Sequence, residues 1–471
     1  MKKNIFMAVL FATTLTISAC GNQNQAQTFE DTTTIVEAEE TDDEPEITSG
    51  IKENDVDEFE ENIPDIAPIE DNLDITQSYD LSQLTEDKLV IDQGGVYELT
   101  GVADGDLQVK INSESVESIT LFLNNASWSN ASECPLMIKK ASNVAILTNN
   151  DSENSITDER DSDSDTDKKS VIFSKCDLEI GGAGLLILNA NYKDGIRVSN
   201  LDKLPGNLTI TSGEITINAE NGHAIRSDGE LNINGGNIII QDSKEGVQGK
   251  YITINEGSLD ITAADDGINA TDPKAEKEDK DFKPEPDFEQ PPDFEQKPDL
   301  GQKPDFENNP GFMKQEPSED CSLTINGGTV NINALGDGLD SNAGIVITGG
   351  IINVSGSTNG DNAALDYASG CTMTGGTLIL TGNQGMAGVL DDDSTVTMLA
   401  ASYFTVMEDT EISLVDDNDT VIVSWIPRKS CTYIQIAAPE INPEATYYFD
   451  INGEKIEASL PDMKGLPPQI P

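Results

Sequence analysis

The chain has 471 residues, with 86 acidic and 28 basic side chains and a formal net charge of −58. A field of that sign repels phosphate backbones and anionic lipid, which argues against nucleic acid as a partner, and it attracts divalent cations. Aromatic residues make up only 5% of the chain while glycine is plentiful, a mixture suited to short strands joined by tight turns.

The first nineteen residues read as an export signal. Lys2 and Lys3 give a positive start, Ile5 to Ile17 is a short apolar run, and Ile17, Ser18 and Ala19 precede Cys20. That run is too short for an ordinary spanning helix. Small residues followed by cysteine resemble the bacterial lipobox, which makes Cys20 the expected lipidation site and cleavage expected after Ala19. The expectation is an extracytoplasmic bacterial lipoprotein, monomeric, whose only membrane contact is its lipid anchor. Residues 20–75 follow as an acidic tether. From 21 to 75 there are nineteen Asp or Glu and one basic residue, Lys52, with no sustained apolar periodicity. Self-repulsion predicts an extended, disordered segment.

Residues 76–400 carry a repeat. Written out, the clearest units are LTITSGEITINA (208–219), LNINGGNIII (231–240), ITINEGSLDITA (252–263), LTINGGTVNINA (323–334), IVITGGIINVS (345–355) and CTMTGGTLIL (371–380). LEIGGAGLLILNA (178–190) is the same unit with one extra residue. Each is an alternating strand, a glycine turn and a second alternating strand, so that one side chain points in and the next out. A third short element lies between units, with a predicted buried column of Ile196, Ile225, Val247, Ile268, Leu339, Leu365 and Leu390. Its successive spacings are 29, 22, 21, 71, 26 and 25 residues. Three short strands every 21 to 26 residues make one coil of a solenoid, and stacking supplies the partner that a single coil lacks. The predicted fold is therefore all-β: a right-handed single-stranded parallel β-helix. Upstream, residues 94–101 read as the first coil and 151–169 as an acid-packed insertion.

The spacing of 71 is one coil plus an insertion at 271–320, where Pro286, Pro292, Pro298, Pro304 and Pro310 recur with the motif PDFEQ. Such density of proline and charge cannot pair into a sheet, so a disordered arm is predicted, bearing Phe282, Phe288, Phe294, Phe306 and Phe312. After residue 400 the strands lengthen, as in 420–427 and 433–438, and predict a C-terminal β cap over 401–460. A disordered tail follows at 461–471. Cys134, Cys176, Cys321, Cys371 and Cys431 are far apart, with no metal or disulfide-framework spacing, and read as free thiols of the core, with one or two bridges in an oxidising compartment as the alternative.

The residue after each buried position points outward. That column runs Arg197, Arg226, Gln248, Asn269, Asp340, Asp366 and Asp391, from basic to acidic. Just ahead of it stand Asp194, His223, Glu245, Asp266 and Asp337. Neighbouring coils of a parallel stack lie about 4.8 Å apart, so carboxylates of adjacent coils can share one cation. All-oxygen ligation with a single histidine favours Ca2+. The candidate ligands are Asp265, Asp266, Asp337, Asp340, Asp361, Asp366, Asp391 and Asp392. Asp-Gly pairs also simply favour turns. His223 reads as a structural hydrogen-bonding residue. Tyr192, Tyr251, Tyr367 and Trp128 are candidates for stacking on sugar rings.

The glycine-turn repeats, the Asp-Gly-Ile/Leu turns and the lipobox together resemble an exported carbohydrate-binding-domain family of clostridia and relatives, with a pectate-lyase-like parallel β-helix. The resemblance covers about 90–440. It is carried by 177–196 (DLEIGGAGLLILNANYKDGI), 252–268 (ITINEGSLDITAADDGI) and 323–339 (LTINGGTVNINALGDGL), with a Pro-rich insertion between coils. It implies binding of plant-type polysaccharide, including acidic sugars, with calcium along the helix. Three coils depart from the Asp-Gly pair (His223-Ala224, Glu245-Gly246, Ala363-Ala364) and are expected to bind no metal. The expected function is non-catalytic polysaccharide binding at the cell surface. Two alternatives stand beside it: a calcium-dependent polysaccharide lyase, in which Arg197 and Arg226 are the only candidate base pair, and a purely structural adhesin.

Overall fold

The computed structural model describes residues 73–114, 117–161, 170–199, 206–272 and 320–461. The signal, Cys20, most of the tether, the bulk of the Pro-rich insertion with its phenylalanines, and the tail lie outside these residues.

The described chain is all-β. Its one helical element is a single 3-10 turn, Leu81–Gln83, and 27 strands join one sheet dominated by parallel pairing. Pairing runs from each strand to its counterpart one repeat along the chain, in three ladders. One joins Val144–Thr148, Leu178–Gly182 and Leu208–Ile210, and continues through Ser322–Ile325 and Gly344–Ile347 to Gly370–Met373. A second joins Glu153–Asp158 and Leu185–Ala190 and ends on Thr377–Gly382. The third joins Ser170–Ser174, Asp194–Val198, Ile268–Ala270, Leu339–Ser341 and Leu365–Tyr367, with intermediate rungs from two long strands. The inward residues stack as columns. Ile196, Ile225, Val247, Ile268, Leu339 and Leu365 are all fully buried, as the alternation predicts.

Three expectations change. Pairing begins earlier than residues 94–101: Ile75–Asp80 lies parallel against Gly95–Asp106. That first strand has no alternating burial, so its sequence carries no period to find. Residues 153–158 are not an insertion. They form a strand whose last residue, Asp158, is wholly buried in a bidentate ion pair with Arg160 at 2.8 and 2.6 Å. An acid count mistakes this buried charge for solvated surface. Finally, Leu390 does not continue the third ladder as a strand. Leu390 is buried in the core as predicted, but no strand lies between Gly382 and Thr397: the segment meets the third ladder through the Gly388 N–H, which donates to Leu365 O at 2.9 Å, while the Asp391 N–H donates to Cys371 O at 2.8 Å on the first ladder.

From Thr397 the pairing turns antiparallel. Cys431–Ala438 runs against both Thr377–Gly382 and Thr397–Val406, and so occupies the edge of the last coil. Ile412–Asp416, Val421–Trp425, Tyr447–Ile451 and Glu454–Glu457 form a separate four-stranded antiparallel sheet. The loop before Cys431 reaches back over the coils. Arg428 forks onto Asp260, its N–H donates to Ser355 Oγ at 3.0 Å, and Lys429 Nζ donates to Ala334 O.

The chain leaves the coils at Asp272 and returns at Asp320. The Lys250 ammonium pairs with both carboxylates, at 3.3 Å to Asp272, and the Tyr251 hydroxyl donates to Asp320. The five described cysteines are free thiols, four of them buried.

Candidate functional site

The third ladder carries the charged columns. Cα pairing puts Arg197, Arg226, Gln248, Asn269, Asp340 and Asp366 in register, one per coil, so the sequence column from basic to acidic is real. Asp194, His223, Glu245, Asp266 and Asp337 form the neighbouring column, each three residues ahead.

The Asp-Gly pair that recurs here has an architectural cause on both residues. The Asp carboxylate accepts the backbone N–H of the corresponding residue one coil on: Asp194 from His223 at 3.1 Å, Asp266 from Asp337 at 2.8 Å, and Asp337 from Ala363 at 2.5 Å. Those N–H groups would otherwise be unpaired where strand pairing begins. The glycine is steric. A Cβ on Gly338 would stand 2.5 Å from Ala364 O, and one on Gly267 would stand 2.6 Å from Gly338 O. The motif therefore needs no metal to explain its recurrence, although it leaves carboxylates crowded.

At the basic end the charges are paired. His223 is 8% exposed; its Nδ1 lies 3.0 Å from Asp194 and its Nε2 3.4 Å from Glu245. Burial alone would lower the imidazole pKa, but its bonds to Asp194 and Glu245 outweigh burial and raise it. Burial likewise works against ionised Asp194, and is outweighed by the His223 bond and the Arg197 charge. Arg197 pairs with Asp194 at 3.4 Å and Arg226 with Asp228 at 3.7 Å. His223 thus bridges three coils, the structural role its sequence context suggests. The two arginines stand one coil apart, each held as an ion-paired cation.

At the acidic end the charges are not paired. Burial, with mutual repulsion, pushes Asp266 up to about 6, Asp337 to about 7 and Asp340 to about 8, and burial raises Asp366 as well. No described residue donates a hydrogen bond to the Asp340 carboxylate. Beside it, Asn269 Nδ2 donates to Asp266 at 3.2 Å while its buried Oδ1 has no partner. Asn269, Asp340 and Asp366 thus present a column of oxygens, a donor set of the kind calcium takes.

The eight predicted ligands do not all belong here. Asp265, Asp266, Asp337, Asp340 and Asp366 interact as a group. Asp265 pairs with Lys244 at 3.2 Å. Asp361 is exposed in a turn and contributes to none of these shifts. Asp391 caps its own turn and accepts from Thr372 at 2.7 Å, while Asp392 is exposed. Among the described residues, no three Asp, Glu, His or Cys side chains converge to hold one ion. Of the aromatic candidates, Trp128 and Tyr192 are each 3% exposed and belong to the core. Tyr251 and Tyr367 spend their hydroxyls on Asp320 and Val389 O.

A second feature lies on the first ladder, where residues of five successive strands, from Ser118 to Asn232, line a groove of about 410 Å³. The sequence columns did not reveal it. Its coils are irregular in length, and it becomes visible only once Ala145, Glu179 and Thr209 are in register.

Comparison with known proteins agrees with the repeat. A family model described as carbohydrate-binding domain-containing protein matches residues 85–282. A curated carbohydrate-binding domain-containing protein of Acetivibrio thermocellus is 28% identical over 223 residues, 46% of this chain; the chain spans 65% of that relative's length. A solved structure titled as the polysaccharide lyase-like protein from C. thermocellum, gadolinium derivative, aligns at 21% identity over 67% of this chain and 99% of that one. Its TM-score is 0.39, a superposition too loose to argue from. Over residues 85–282, the chain is similar to the carbohydrate-binding domain-containing family to which its coil repeat points.

Proposed function

We propose that this protein is a bacterial cell-surface lipoprotein, anchored through Cys20, that binds polysaccharide without transforming it. The observation that carries this is the family match over residues 85–282, the region whose coils present regular polar columns. The parallel ladders are read as one right-handed single-stranded β-helix, because crossovers between parallel strands are right-handed in about 98% of cases. The antiparallel strands after Thr397 serve as its cap.

Calcium is the proposed cofactor, taken by Asn269 Oδ1 with the carboxylates of Asp340 and Asp366. The support is chemical: an orphaned buried oxygen beside crowded carboxylates whose charges lack counter-ions. Such an ion offsets the repulsion that this acidic chain exerts on uronate sugars. The ion-paired state of Arg197 and Arg226 speaks against a lyase, since a general base must be neutral to accept a proton. Glycan-array binding in calcium and in chelator tests the reading. Retention on no polysaccharide in either condition refutes it, as does release of unsaturated uronate from polygalacturonate.

A further inference from the structure

The groove on the first ladder crosses five paired strands. Its floor is one outward residue from each of five successive coils: Thr120, Ala145, Glu179, Thr209 and Asn232, in continuous Cα register. Ala145 is the smallest of these and sits between Thr120 and Glu179, which makes the depression. One wall is held in place by backbone bonds. Asp177 Oδ1 accepts the Asn207 N–H at 2.9 Å, and Asn207 Oδ1 accepts the Glu230 N–H at 3.0 Å. Asn143, Asp177, Asn207 and Glu230 thus form a fixed polar edge. Two residues further along the same strands, Phe122 and Leu147 face out in register, both half-buried, as an apolar step beside the floor.

We propose that this groove binds a neutral glycan chain. The inference rests on the polysaccharide-binding reading and names the class of sugar for one site. Hydroxyl, amide and carboxylate groups along the floor match the donors and acceptors of sugar hydroxyls, and carboxylates are strong acceptors for them. The apolar step suits the non-polar face of a sugar ring. Asp177, Glu179 and Glu230 line the groove without any basic residue. A uronate or phosphate chain is therefore repelled here. One residue per coil along the floor matches an extended polymer rather than a compact ligand.

The test is titration of the exported chain, from Cys20 onward, with neutral gluco- and xylo-oligosaccharides and with oligogalacturonate, each in chelator. The neutral chain is expected to bind. Ala145→Trp fills the depression, and Glu179→Lys replaces an exposed acceptor. Each is expected to weaken neutral binding by about tenfold or more, a loss of about 1.4 kcal/mol, without changing thermal unfolding. Should Ala145→Trp fail to fold, the exposed Glu179 substitution carries the test alone. Binding of neutral chains equal to wild type in a folded variant overturns the groove and leaves the polysaccharide reading standing. So does oligogalacturonate binding in chelator that Ala145→Trp abolishes. Retention of no glycan at all by the wild type sinks both.

Discussion

Removing the Asp158 carboxylate is the most severe single change that the described fold invites. Asp158 is 0% exposed and Arg160 1%, so neither charge is relieved by water. The guanidinium makes two bonds to the carboxylate, a third to Ser170 O at 3.3 Å, and lies 4.8 Å over the Tyr192 ring. Asp158→Ala strips that buried guanidinium of its bidentate carboxylate, an effect of about 3–5 kcal/mol. That is a large part of a stability of about 5–15 kcal/mol. Arg160→Met leaves the carboxylate stranded and is expected to cost a similar amount. The pair Asp158→Leu with Arg160→Met removes both desolvation penalties, so it is expected to lie closer to wild type than either single change. Urea unfolding followed by circular dichroism measures the three variants. Hydrogen exchange in Leu185–Ala190, paired directly to the strand that ends in Asp158, locates the loss. An Asp158→Ala protein within about 1 kcal/mol of wild type, or a double variant less stable than both singles, refutes the argument.

The acidic column makes stability depend on pH. Asp266, Asp337 and Asp340 bind protons more tightly folded than unfolded, so stability is present at low pH and is lost as pH rises from about 4 through 8. Thermal melts in chelator are expected to show that fall, Asp340→Asn to shallow it, and calcium to restore stability more at pH 8 than at pH 5. Calcium that leaves the melts unchanged at both pH values refutes the proposed ion site. Gly338→Ala drives a Cβ against Ala364 O and is expected to destabilise by about 1–3 kcal/mol in urea unfolding, whether or not calcium is present. Arg428→Ala frees the loop from Asp260; exposure limits the loss to about 1 kcal/mol or less, with faster exchange of the Cys431–Ala438 amides as the more sensitive readout.

Much of this was legible in the sequence, and the rest was hidden for physical reasons. Where inward and outward residues alternate, as in the repeat units of 208–263 and 323–380, the period locates the strands and orders the outward column. The Asp-Gly turns were equally visible, but their cause was not. A carboxylate that caps the next coil's N–H and one that holds a cation carry the same letter. Strand Ile75–Asp80 was hidden because it buries little on either face. The buried pairing of Asp158 with Arg160 was hidden by the acids around it. Asp391 was misplaced because equal spacing was extended one coil past the end of the third ladder. Trp128 and Tyr192 show that an aromatic ring in a polar segment is as readily core as surface.

Lys250 draws together the two points where residues 273–319 depart and return. Closing that gap fixes the geometry of the junction independently of what the intervening segment contains. The strands on either side keep their pairing, Val247 with Ile268 and Ile268 with Leu339, across the insertion. The junction is in effect a socket: a guest domain grafted between Asp272 and Asp320 is expected to leave the pairing on both sides of it in register.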